Sequence, residues 1–288
     1  MFILVQQLMN GLVAGSIYAL TALGLTMMLG IMDIINFAHG EFYMLGAFFT
    51  YLFCVSLGIP YLGAMVFAFL AVGIIGIVIE KLSFKPIRKT PLLNTLLVSL
   101  GLSVFLQNLS LLIWGPDPRK IPSPFADEVI EFGGISITEQ RLLVIVVTVI
   151  LLIVFYYFIQ KTTMGKCMRA TAQEPEGAAL IGIDIDRVFL VTFGAGCALA
   201  GAAGSLVGGV FFVTPTMGIA PVLKAFIVVI VGGMGSIPGA IAGGFFLGVT
   251  EVLVAGFVSS AYMDAMAFGI LILVMLFKPS GLFGKAES

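Results

Sequence analysis

The stretch Met1 to Leu29, MFILVQQLMNGLVAGSIYALTALGLTMML, decides the fold: it has no basic residues ahead of its apolar run and no charge before Asp33. That pattern reads as a retained spanning helix rather than a cleaved leader. Because about 20 apolar residues cross the hydrocarbon core, the same reading extended along the chain predicts spans at 5–29, 40–58, 61–81, 93–114, 141–160, 188–211, 238–258 and 262–277. A further apolar run, Pro221 to Val231, is about half the required length and is followed by Gly-rich sequence. It reads as a half-helix or one limb of a broken span. The expected fold is all-α: a polytopic membrane bundle of about eight spanning helices with a short broken or half-helix near 221–235, in a single transmembrane domain over 1–288.

Composition agrees. Of 288 residues 60% are hydrophobic and 10% charged, which leaves too little polar surface to cover a soluble globule. A net charge of -1 excludes a basic nucleic-acid-binding surface. Cys54, Cys167 and Cys197 are widely separated, so neither a disulfide framework nor a thiolate metal site is supported. One histidine makes a metal centre unexpected, and no cofactor is implied.

Basic residues flanking spans mark the cytoplasmic side. Lys81, Lys85, Arg88 and Lys89 form one cluster, Lys161, Lys166, Arg169 and Arg187 a second, and Lys278 and Lys285 follow the last span. The loop 115–140 is acidic, with Asp117, Asp127, Glu128, Glu131 and Glu139 against Arg119 and Lys120, and belongs outside. Threading backwards puts the N-terminus outside. Parity then requires the short 221–231 segment to cross, continuing irregularly to Gly235. The cytoplasmic loop 161–187, KTTMGKCMRATAQEPEGAALIGIDIDR, is patterned as a short helix rather than a flexible linker, which suits a docking element.

Pairs of glycines four apart (Gly11/Gly15, Gly204/Gly208, Gly239/Gly243, Gly244/Gly248) predict close helix packing where lipid offers no hydrophobic driving force. Two regions depart from plain packing. In Gly24–Gly46 the residues Asp33, Asn36, His39 and Glu41 interrupt apolar sequence, with Asn36 predicted to cap a helix starting at Phe37 and Glu41 to lie near its positive end. In Met217–Gly248 the helix is broken at Gly232, Gly233, Gly235 and Pro238. Paired interruptions are read either as membrane-surface turns or as a midplane translocation site built from broken helices. Glu41, Lys224, Glu251 and Asp264 are the ionisable residues at depth and must face the interior, water or headgroups. Lys224 is expected either to snorkel to the interface or to contact a substrate carboxylate, His39 to bond backbone or Asn36, and Glu251 either to bond neighbouring helices or to line the pathway.

NFAHGEFYMLGAF (Asn36–Phe48), RATAQEPEGAALIGID (Arg169–Asp184) and GGMGSIPGAIAGG (Gly232–Gly244), in that order, resemble the branched-chain amino-acid permeases of ABC importers. The resemblance implies a second homologous permease subunit, two cytosolic ATP-binding subunits and an extracytoplasmic substrate-binding protein, in the cytoplasmic membrane. It also implies a coupling helix of the pattern E-A-A-x-x-x-G, matched by Glu176, Ala178 and Gly182 and departed from at Gly177, with Arg169 and Ala179 in the same loop. Ala178 and Ala179 would then offer a low surface to an ATPase groove, Pro175 would suit the first turn and Gly182 the stop. Asn36, His39, Glu41, Gly232, Gly233, Gly235 and Glu251 are the candidate pathway or gate. A related urea permease shares much of the pattern. An ion-coupled transporter, a passive channel and a membrane enzyme remain as rival classes, the last without any cluster of acid, base or metal-ligating residues.

Overall fold

The computed structural model describes residues 2–88, 90–126, 128–132 and 135–284; Lys89, Asp127 and Lys285, used above for orientation, lie outside them. The chain forms α1 (Phe2–Met32), α2 (His39–Val55), α3 (Tyr61–Ile79), α4 (Leu92–Trp114), α5 (Glu139–Lys161), α6 (Thr163–Gln173), α7 (Pro175–Leu180), α8 (Ile185–Gly208), α9 (Ile219–Gly232), α10 (Ile237–Phe257) and α11 (Met263–Phe277). A π-helical turn, Glu80–Phe84, and a 3₁₀ turn, Lys85–Ile87, continue α3. The predicted outer loop also holds something the all-α expectation lacked, a short antiparallel hairpin of β1 (Val129–Phe132) and β2 (Ile135–Thr138).

Among the described residues seven helical segments, rather than eight, are long and apolar enough to cross a membrane. The difference is α2, predicted as a span over 40–58 but only 17 residues long. At 1.5 Å per residue α2 reaches about 25 Å and α9, with 14 residues, about 21 Å, both short of a core of about 30 Å. Non-helical chain covers the remaining depth: 33–38 ahead of α2 and 209–218 ahead of α9.

The sides follow from contacts. The Gln6 side chain exchanges two hydrogen bonds with the Ser136 backbone, so the N-terminus shares a face with the acidic loop. Arg119 and Val213 form a backbone bridge there. At the opposite face Gly30 meets Gly235, while Leu282 and Phe283 donate to the carbonyls of Val231 and Gly232. Segment 209–218 thus descends from the face that carries the loop 115–140 and α9 completes the crossing. The irregular part precedes the helix, not follows it as expected.

Two halves emerge with opposite directions: α1, α2, α3 and α4 correspond to α8, α9, α10 and α11. The antiparallel pairing of α1 with α10 (Gly11 on Val249, Gly15 on Phe245) is matched by that of α8 with α3 (Gly201 on Val72, Gly194 on Ile77). The halves touch at two self-matching points, Gly24 against Gly196 and Gly40 against Gly218, where each backbone fills the space a β-carbon would need. α5 and the α6–α7 loop lie between the halves in sequence.

Gly218→Ala should cost roughly 1–3 kcal/mol, because its β-carbon falls on the Gly40 carbonyl. Gly101→Ala, with open space around it, should be neutral or slightly stabilising. Thermal unfolding of the purified protein in detergent checks both.

Candidate translocation and coupling sites

The chain leaves α1 through Asp33 and turns back into the bundle. Asn36 does not cap a helix at Phe37. Its Oδ1 accepts from the Ala38 N–H at 3.0 Å, a local Asx turn, and α2 begins two residues later than expected, at His39. His39, fully buried, reaches the Thr21 carbonyl of α1 through Nε2 at 3.0 Å, fastening the start of α2 to the middle of α1. Glu41 lies in the first turn of α2, where the helix dipole favours an anion. Its Oε1 accepts from Gln107 at 2.7 Å and Ser103 at 3.0 Å, both on α4.

The corresponding helices of the second half carry a charged version of the same bridge. Lys224 of α9 donates to Glu251 of α10 at 2.5 Å and to Asp264 of α11 at 2.7 Å. Lys224 and Glu251 are buried, whereas the Asp264 side chain is 78% exposed on the outer flank of α11. The expectation that Lys224 snorkels to headgroups is therefore corrected: two carboxylates hold it inside. Glu251 bonds a neighbouring helix, one of the two alternatives left open above.

Gly232, Gly233 and Gly235 do not meet Asn36, His39 and Glu41. They form the turn from α9 to α10, with Gly233 (φ 102°) and Gly235 (φ 75°) in the left-handed region that favours glycine. A β-carbon on Gly233 would strike Gly284, and one on Gly232 would strike Gly239. In space the partner of the first break is Gly218 with its lead-in 209–218. The Gly/Pro cluster at 232–238 ends a helix at the face opposite the loop 115–140 and signals strongly; the break in the middle of the bundle is marked by Gly208, Gly209, Pro215 and Gly218.

The loop 161–187 is held at both ends. Thr162 caps α6 through Gly165 N–H, Gly165 packs against the carbonyls of Phe158 and Ile159, and Arg169 donates to the Ile159 carbonyl. At the far end Asp184 caps α8, and Asp186 accepts from Arg88 (2.6 Å) and Lys85 (2.5 Å) while Arg88 also bonds Glu80. Between them α7 starts at Pro175 and stops at Gly182 (φ 86°), with Gly182 N–H on the Ala179 carbonyl and Ile183 N–H on that of Ala178. This is the paired closure expected of a helix ended by glycine. One expectation fails: Ala178 is buried at 3% exposure and faces the protein. Glu176 and Ala179 are exposed, and the apolar tip is Leu180 and Ile181, 89% and 76% exposed.

The profile of the family described as "Branched-chain amino acid transport system / permease component" matches residues 7–276. The chain belongs to this family. It is 37% identical to the high-affinity branched-chain amino acid transport system permease protein LivH of Salmonella typhimurium strain LT2, over 98% of this chain and 96% of that one. It is 36% identical to BraD of Pseudomonas aeruginosa strain PAO1, described in the same words, over the same shares of the two chains. Among solved structures, PsaBC from Streptococcus pneumoniae in complex with Fab shares the fold, with a TM-score of 0.50 and 13% identity over 97% of this chain and 93% of that one. As a member of this family, and with seven apolar segments of crossing length, the protein is a multi-pass permease subunit of the cytoplasmic membrane.

Sequence reasoning passed over Ser103 and Gln107 and read Arg88 for orientation alone. The signal for the first pair lay in α4, where Thr95, Ser99, Ser103 and Gln107 recur every four residues in a mainly apolar helix. Glu80, wholly buried beside Arg88, had no signal beyond its place at the end of a span.

Lys224→Met leaves Glu251 buried without its cation and should lower stability by about 3–5 kcal/mol. Adding Glu251→Gln should recover a large part of that loss. The melting midpoints of the two variants in detergent measure the difference.

Proposed function

We propose that this chain is one of two permease subunits of an ATP-driven importer for branched-chain amino acids. The identity to LivH and BraD over nearly the whole chain supports the substrate class. The observation that supports the mechanism is the exposed apolar tip Leu180–Ile181 on a capped, clamped loop. Two large aliphatic side chains held in water by a six-residue helix suit a hydrophobic groove on a partner.

In this reading a substrate-binding protein docks on the outer face around the acidic loop, and two cytosolic ATP-binding subunits receive the α6–α7 loops of the two permeases. The chain has no G-x-x-x-x-G-K-[ST] phosphate loop, so hydrolysis belongs to the partners. Closure of the ATPase pair pushes α7. The Arg169 and Gly165 contacts pass that displacement to α5, and the Asp186–Arg88–Glu80 chain passes it to α8 and α3. The α2 and α9 half-helices, meeting at Gly40 and Gly218, are the elements whose relative movement alternates access. Asn36, His39 and Glu41 hold α2 in place, and Glu251 with Lys224 holds α9. Gly232, Gly233 and Gly235 act at the cytoplasmic hinge of α9. Apolar walls suit an aliphatic side chain in transit.

ATP-driven uptake by the assembled transporter should follow leucine, isoleucine and valine and not urea; uptake of urea alone sinks the amino-acid reading. Leu180→Arg combined with Ile181→Arg should reduce ATP-driven uptake tenfold or more while the permease still inserts, since the tip is aqueous. Ser56→Arg, in the exposed outer turn after α2, should leave coupling unchanged. Wild-type uptake by the double variant returns the loop to a plain connector.

A further inference from the structure

Between α3, α5 and α8 runs an apolar groove with a cavity of about 360 Å³. Its floor is made of small residues, Gly73 of α3 and Gly194, Ala195 and Ala198 of α8, and a β-carbon on Gly73 would touch that of Ala198. Its walls are larger apolar side chains, of which Leu70, Ile74 and Val154 leave half or more of their surface uncovered. At the end farthest from the C-terminus of α3 the Phe69 ring meets that of Phe155 edge-on, with centroids 6.4 Å apart, and joins α3 to α5. At the other end the lining stops at Ile77, Phe158 and Val191.

Each lining row continues, one helical turn further on, into a basic residue. On α3 the row Leu70, Ile74, Ile77 leads to Lys81. On α5 Val154 and Phe158 lead to Lys161, and on α8 Ala195 and Val191 lead to Arg187. Steps of three and four residues keep these positions on one face of their helices. All three basic residues are exposed, and among the described residues none of them forms an ion pair. Other cations of this face are engaged: Lys85 and Arg88 by Asp186 and Glu80, and Arg169 by the Ile159 carbonyl. The pairs of Lys85 and Arg88 with Asp186 also hold the end of α3 to the start of α8, which brings together the helix ends that carry Lys81 and Arg187. Of the acids beside them, Asp186 is held in these pairs and Asp184 accepts from the Arg187 N–H as the cap of α8. The mouth of the groove is left net positive.

We propose that this groove binds an anionic glycerophospholipid, with one acyl chain lying between α3, α5 and α8 and the phosphate at the mouth among Lys81, Lys161 and Arg187. An empty groove would forfeit dispersion contacts along its walls, and water finds no polar partners in it. A lipid chain fills it. The dimensions agree: from Phe69 to Lys81 α3 rises about 18 Å at 1.5 Å per residue, against about 20 Å for one leaflet with its headgroups. The small residues of the floor would suit a partner's helix equally. The cations at the ends of all three rows decide for the lipid, since a basic pocket between membrane helices selects an acidic headgroup. This inference concerns lipid binding alone and stands whether or not the chain imports amino acids.

The test is titration of the detergent-purified permease, with its copurifying subunits, with dioleoyl phosphatidylglycerol and dioleoyl phosphatidylcholine, the bound lipid being counted by native mass spectrometry. Each cation near the headgroup contributes roughly fivefold in affinity for an acidic lipid, so the wild type should prefer phosphatidylglycerol roughly twentyfold or more. Lys161→Gln combined with Arg187→Gln should lower that preference roughly tenfold. Lys166→Gln, which removes an exposed cation of α6 that lies off the three rows, should leave it unchanged. Ala195→Phe fills the groove and should weaken the binding of phosphatidylglycerol while the charges remain. Should that variant fail to fold, p-benzoylphenylalanine in place of Phe158 gives a second readout: irradiated in membranes, it should add the mass of one phospholipid. A cross-link to another protein subunit, or no lipid adduct, overturns the site. So do equal affinities for the two lipids, an unchanged preference in the double variant, or unchanged binding in a folded Ala195→Phe permease.

Discussion

Everything in this bundle is arranged around the place where the backbones of Gly40 and Gly218 touch, each carbonyl occupying the space of the other's missing side chain. A half-helix that starts inside a membrane exposes first-turn N–H groups where no lipid can accept them. The protein answers with short-range turns: Ala38 N–H on Asn36 Oδ1 and His39 N–H on the Asn36 carbonyl before α2, and Ile219 N–H on the Thr216 carbonyl before α9. Those turns need close approach, and close approach needs glycine at the crossing. The positive ends of two helix dipoles also meet there, and Glu41 in the first turn of α2 offsets part of that field.

The inverted correspondence of the two halves turns one packing problem into a pair. Each half seats its long first helix against the third helix of the other, and each hangs its fourth helix, α4 or α11, on the outside. Only 17% of the central span of α4 and 6% of that of α11 is buried within the chain. These outer helices are attached to the half-helices by polar bridges: neutral donors on Glu41 in one half, an ammonium between two carboxylates in the other. A side-chain hydrogen bond between membrane helices contributes about 0.6 kcal/mol on average, so the Glu41 bridge positions α4 rather than binding it strongly. The Lys224 bridge is different in kind, because removing the ammonium strands the buried Glu251 carboxylate.

Much of this was legible in the residues. Hydropathy located every long helix, basic flanks put the N-terminus on the same face as the loop 115–140, as Gln6 and Ser136 bear out, and Pro175 and Gly182 bounded α7. The half-helix at 221–231 was recognised as too short. What stayed hidden has a common cause: a break inside a membrane bundle is stabilised by backbone contacts between distant segments, and such contacts leave no local mark beyond small residues. Gly218 looks like any packing glycine in sequence, whereas the loud cluster Gly232–Pro238 is a turn at the surface, where glycine and proline serve ordinary helix ends. The inward face of Ala178 was hidden for a related reason. In a helix of six residues, which side is covered depends on how the flanking helices clamp it, and Arg169 on the Ile159 carbonyl is a tertiary fact.

That clamping also explains why the cytoplasmic loop can be short. A flexible loop pushed by a partner absorbs the displacement in its own conformational freedom; one closed by caps at Thr162, Asp184 and Gly182 has little freedom to absorb it. In the proposed import cycle the push would then divide between two routes. Gly165, pressed against the last carbonyls of α5, carries it into a helix that stands outside the inverted pair. Asp186 carries it through Arg88 into Glu80, whose π-helical turn marks the point where α3 departs from regular geometry. Since α3 and α8 pack closely where Gly73, Gly76 and Gly194 receive the side chains of Ala198, Cys197 and Ile77, a displacement at Asp186 would move them as one body. The half-helix α2 is bracketed by that body, and α9 by its counterpart α1 and α10. In that cycle, movement of one body against the other would be concentrated at Gly40 and Gly218, the contact from which the architecture is built.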